Sequence, residues 1–199
     1  MIDIIYNANI SFVRKSVKMS SIGNVVVGLI EKHSHNDVID IMEMATSMGI
    51  NVERVPMEVT TDVAIMKQGE EDTRPKIELN ETNSIEQDYT LVALLLADCL
   101  IAPKKAQREG FKYEIFYLKD LRQFRLTRTF LLATRLAIPE HIINLIDEFN
   151  FNIHEYIGKT KYLPSFINNM IKNSNANFIV INNLLGGMSI EHLYKGNSK

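Results

Sequence analysis

The stretch Gly23–Pro56, GNVVVGLIEKHSHNDVIDIMEMATSMGINVERVP, constrains the chain more than any other. Asn24–Ile30 is a short apolar run dense in β-branched residues, the pattern of a buried strand. Ser34, followed three positions later by Asp37, has the form of a capping box at a helix start. Val38, Ile41, Met42, Ala45 and Met48 then keep one helical face apolar, and Gly49 stands where a left-handed C-terminal cap belongs. Ile50–Pro56 resumes as a strand. Together these signals predict a strand–helix–strand unit. The polar run Glu31–Asp37 then falls at the carboxyl end of its first strand, where open α/β sheets hold their ligands.

Around this unit the chain reads as alternating elements. Ile2–Tyr6 is a first short strand, and Ile10, Val13 and Val17 form the seam of a helix over Ile10–Met19. Gln68–Asp88 is polar and acidic, and reads as a loop or arm standing off the domain. Asp88–Leu100 is a helix apolar on nearly every side and therefore buried. Cys99–Ala102 is expected to turn into a strand ending at Pro103, and Tyr113–Leu118 to form another. Residues 119–174 are helix-rich. Asp120–Ala137 is one helix, Pro139 opens another, and Tyr162–Lys172 is a third. Phe178–Ile181 is a last strand before Gly186-Gly187. The expectation is a single α/β domain over 1–199: a mainly parallel, Rossmann-like sheet with helices on both faces and a helix-rich C-terminal half.

The totals narrow the function classes. A content of 46% hydrophobic and 23% charged residues suits a globular chain and argues against disorder. One cysteine, Cys99, excludes an intrachain disulfide and fits a reducing cytoplasm. The N-terminus lacks the pattern of a signal peptide, and no apolar run reaches the roughly 18 residues of a membrane span. A net charge of −2 gives no global attraction to nucleic acid or membrane. The charge is nevertheless uneven. Glu53–Asp98 carries eleven acidic and four basic residues, whereas Lys104–Arg135 carries nine basic and three acidic.

The sharpest chemical signal is His33-Ser34-His35-Asn36-Asp37. Two histidines flanking one residue can both turn toward a divalent metal, with Asp37 adding an oxygen ligand. The run resembles the His-x-His-x-Asp-His motif of metallo-β-lactamase-fold hydrolases over three of its four positions. Val38 stands where the last histidine would be, and Asp40-Ile41 where a glycine pair usually follows. The resemblance implies a metal-dependent hydrolase with His33, His35 and Asp37 as ligands. The competing reading makes Ser34 and Asp37 helix caps and the histidines ordinary loop residues.

A second signal is basic. Lys104 and Lys105 follow one expected strand. Arg122 and Arg125 follow another and share one broad helical face, where guanidinium groups bind phosphate or carboxylate. Tyr6 and Asn7, at the end of the first strand, face the same expected crevice. No dinucleotide fingerprint, P-loop or Gly-x-Ser-x-Gly elbow is present. The functional expectation is therefore a cytoplasmic protein binding an anionic small molecule at the carboxyl edge of its sheet. His33 and His35 are its candidate catalytic groups; Tyr6, Asn7, Lys104, Lys105, Arg122 and Arg125 are its candidate ligand contacts. Two rivals stand beside it: the metal-dependent hydrolase, and a non-catalytic subunit whose acidic 68–88 arm and basic helix bind another chain, or a homo-oligomer formed through that arm.

Overall fold

The structure, a computed structural model, describes residues 19–58, 63–68, 75–102, 105, 110–114, 128–145 and 151–172. Its elements are α1 (Met19–His33), β1 (Ser34–His35), β2 (Val38–Ile39), α2 (Ile41–Ser47), β3 (Asn51–Val55), β4 (Val63–Gln68), β5 (Pro75–Asn80), α3 (Ile85–Ile101), β6 (Phe111–Glu114), α4 (Arg128–Ala137), α5 (Glu140–Leu145), α6 (Ile153–Lys159) and α7 (Pro164–Lys172).

The central stretch folds differently from its expected pattern. Asn24–Ile30 is not a strand; it lies inside α1. Among its described side chains, Val26, Leu29, Ile30 and His33 are buried, a spacing of three and four that belongs to a helix. The weak strand preference of three consecutive valines is overridden by that packing. Ser34 and Asp37 do not cap a helix either. They belong to a two-stranded antiparallel hairpin, Ser34 pairing with Ile39 and His35 with Val38. Asn36 and Asp37 form its turn with φ of 49° and 66°. Two left-handed central residues are what a tight hairpin turn requires, and Asn and Asp tolerate that region better than other side chains. The cap of α2 is instead Asp40, whose carboxylate accepts from the Met42 and Glu43 amides at 3.0 and 3.1 Å. At the other end the prediction holds. Gly49 has φ 77°, the Gly49 amide donates to Thr46 at 2.9 Å and the Ile50 amide to Ala45 at 3.0 Å, a Schellman closure.

The main sheet has the order β3-β5-β4-β6. Only β3 and β5 run parallel; β4 is antiparallel to both β5 and β6. This mixed four-stranded sheet overturns the expected mainly parallel, Rossmann-like one. Two of the strands that were to build the parallel sheet are helical: Asn24–Ile30 in α1 and Cys99–Ile101 at the end of α3. The acidic 68–88 stretch does not stand off the domain along its described part. Pro75–Asn80 is strand β5 between β3 and β4, with Ile77 and Leu79 buried, and Ile85 opens α3. Of the strand expected over Tyr113–Leu118, Tyr113 and Glu114 belong to β6, which begins after Gly110 at φ 68°, and residues 115–118 lie outside the described residues. The expected strands Ile2–Tyr6 and Phe178–Ile181 and the helix expected over Ile10–Met19, Met19 apart, lie outside the described residues, as does the first part of Asp120–Ala137.

α3 is the axis of the core. Ser84 and Gln87 close a true capping box at its start, and Leu91 through Ala97 are all buried. It packs along α4, and against α2 and strands β4, β5 and β6. Asp98, the one acid in its apolar second half, accepts from the Thr129 hydroxyl of α4. Asp88 is buried in the first turn and takes Arg54 of β3 and Asn83 of the β5–α3 turn, at 2.8 Å from Arg54 Nε and 2.8 Å from Asn83 Nδ2. The helix-rich C-terminal half returns to this axis. Tyr162 donates to Ile39 O at 3.2 Å, the Leu163 amide to Thr90 at 3.0 Å, and Lys161 to the Tyr89 hydroxyl at 3.1 Å.

Candidate functional site

The residues of the 33–37 run go to different neighbours. His33 ends α1 and is 1% exposed. Its Nε2 lies 2.8 Å from Ser47 Oγ, and the Ser47 hydroxyl is also 2.9 Å from Met44 O, to which it donates. His33 Nδ1 stands 3.6 Å from Glu43, outside hydrogen-bond reach. His35 is exposed, with Nε2 3.4 Å from the same Glu43 oxygen. Asp37 turns away from both histidines and meets His141 of α5 at 2.6 Å.

Three functional readings of these groups can be weighed. Glu43 approaches both histidines and Asp37 does not, so the metal triad expected from the sequence is not brought together. Among the described residues, no group of three His, Cys, Asp or Glu side chains is arranged to hold a metal. Ser47–His33–Glu43 has the order of a nucleophile, base and orienting acid. The amides that follow Ser47 offer it no oxyanion hole: those of Met48 and Gly49 already donate to Met44, Ala45 and Thr46 carbonyls. With the imidazole buried as well, the row ties α1 to α2. It is a structural contact.

A cleft of about 180 Å³ lies beside the hairpin. Val27, Ile30, Glu31 and Ser34 line one wall, the spacing of a single helix face carried one step past α1. Arg135, Pro139 and His141 line the other, from the corner where α4 gives way to α5. Arg135 is 7% exposed and His141 is exposed. Ile138 closes α4 with its amide on Thr134 O at 3.2 Å, and Pro139 then starts α5 without needing a donor. That corner places Arg135 and His141 in one wall. Asp37 holds His141 from the hairpin side, and the buried Tyr156 hydroxyl is pushed up in pKa by burial and then by the Asp37 charge.

Of the expected ligand contacts, Lys105 is exposed and sits over the Phe111 ring, 5.3 Å from its centroid, and does not line the cleft. It follows a helix end, since the strand expected before it does not form. Tyr6, Asn7, Lys104, Arg122 and Arg125 lie outside the described residues. Arg135, Glu31 and His141 were not singled out by sequence patterns. A trace of Arg135 was available: it is the lone charge in the run Leu131–Ile138, where a cation on an apolar helix signals a buried polar role.

The chain matches no protein-family model, no curated protein and no solved structure. The geometry of the cleft therefore carries the functional argument. No helix among the described residues is long and apolar enough to cross a membrane.

Proposed function

We propose that this protein binds a small anionic molecule, bearing carboxylate or phosphate, in the cleft between α1 and the α4–α5 corner. The observation that carries the reading is Arg135, a cationic residue more than nine-tenths buried among those that line the cleft. A guanidinium keeps its charge at any physiological pH and presents five donors in a fixed fork, so it serves a carboxylate or phosphate alongside other partners. His141 adds an imidazole at the exposed edge, oriented by Asp37. Val27, Ile30 and Pro139 supply an apolar surface for the rest of the ligand. The location differs from the expected one. The cleft is built by helices and a hairpin, while the carboxyl ends of β3 and β5 are closed by Arg54, Asn83 and Asp88. If the site is catalytic, His141 is its general base, positioned by Asp37.

The test is a thermal-shift series with inorganic phosphate, propionate and succinate on the wild type, Arg135→Gln and His141→Ala. A ligand at a hundred times its Kd adds about 2.7 kcal/mol of apparent stability, a readily measured shift. The expected result is a rise for at least one anion in the wild type, lost in Arg135→Gln and reduced in His141→Ala. An equal rise in all three proteins would remove the cleft from consideration.

A further inference from the structure

We infer that the cleft is selective for a small zwitterion, a molecule carrying both a carboxylate and an ammonium on a short apolar body; this rests on the reading of the cleft as an anion site. The two walls bear opposite charge. Arg135 and His141 stand on the α4–α5 side, and Glu31 with Ser34 on the α1 side. Glu31 is exposed, and it makes no ion pair or hydrogen bond among the described residues, so its carboxylate is available to a ligand. A bare carboxylate or phosphate seated on Arg135 would share the cleft with that second carboxylate. Like charges at short range disfavour this arrangement, and an ammonium on the ligand reverses the sign. Charge-assisted hydrogen bonds at both ends also fix the orientation of the ligand.

Size points the same way. A cavity of about 150 Å³ accommodates benzene, so about 180 Å³ suits roughly six to eight non-hydrogen atoms. Val27, Ile30 and Pro139 offer carbon rather than donors or acceptors to the middle of such a molecule. Short aliphatic α-amino acids have this size, this pair of charges and this apolar body. A phosphate ester of similar length has the wrong charge balance for the Glu31 wall.

The experiment is isothermal titration of the full chain with L-alanine and L-valine, and with the analogues propionate and ethylamine, each lacking one charge. Inorganic phosphate is titrated alongside. L-Alanine or L-valine is expected to bind about tenfold or more tightly than propionate, the ratio that one charged hydrogen bond supplies, and ethylamine is expected to give no saturable heat. Glu31→Gln, at an exposed position, should lower amino-acid affinity by about tenfold while leaving propionate within about threefold. Arg135→Lys should weaken both. Propionate or phosphate binding as tightly as the amino acids, unchanged or improved in Glu31→Gln, would overturn the zwitterion and leave the anion site standing. Absence of saturable binding for every probe would remove both.

Discussion

Asp37 and His141, 104 positions apart in the chain, meet at 2.6 Å and join the hairpin turn to the first turn of α5. The contact forms although Asp37 is held at φ 66°, a region that costs an ordinary residue roughly 1–2 kcal/mol. The turn therefore carries two separable demands: a backbone that tolerates the left-handed region, and a carboxylate that reaches His141.

Substitutions at Asp37 should separate the two. Asp37→Asn keeps the turn and loses the charge, and since both side chains are more than half exposed, the loss should stay within about 1 kcal/mol and shrink in high salt. Asp37→Val adds the left-handed penalty and should cost about 1–2 kcal/mol more. Urea unfolding of the two variants in low and high salt checks both values.

Truncation in the axis should be far more damaging than any change in the hairpin. Leu94, 1% exposed on α3, has core on every side. Leu94→Ala is expected to lower stability by about 2–5 kcal/mol. A shift in the urea midpoint, at unchanged slope, is the corresponding reading.

Asp88→Ala should cost about 1.5–3 kcal/mol, because it strands the buried Asn83 amide and the Arg54 guanidinium together. The same measurement on Asp88→Asn, which keeps the shape and one acceptor, should give a smaller loss.

Cys99 supplies a pH test. Burial first, and then the Asp98 charge, push its thiol from 9.0 up to about 12. The folded state thus holds a proton that the unfolded chain releases, so this contribution to stability is complete below about 9 and is lost as pH rises toward 12. The stability advantage of the wild type over Cys99→Ala should narrow across that window. Native protein should also resist thiol reagents at pH 8 and react fully in urea.

The sequence showed α3, the Gly49 closure and β3 clearly, because each rests on a local signal that tertiary packing did not oppose. The hairpin was hidden by its brevity. Two-residue strands carry no periodicity, and Ser34 with Asp37 imitated a cap that Asp40 provides instead. α1 was hidden by Val25–Val27, whose β-branched character outweighed a helical stripe that included the unlikely core residue His33. β5 was disguised by Lys76, Glu78 and Asn80. Its charges are settled by pairing, Lys76 Nζ reaching Glu53 at 3.0 Å and Glu78 at 2.9 Å. The cleft was the least legible part. Its lining joins residues 27–34 to residues 135–141, which are brought together in part by the packing of α4 against the hairpin.

Occupancy of that cleft by an anion is tested most directly by a two-dimensional ¹H–¹⁵N titration of the protein with propionate. The prediction is saturable movement of the Glu31, Ser34, Arg135 and His141 amides, with the Lys105–Phe111 region unmoved. Those four amides remaining still while others shift, or no shift anywhere at saturating propionate, would contradict it.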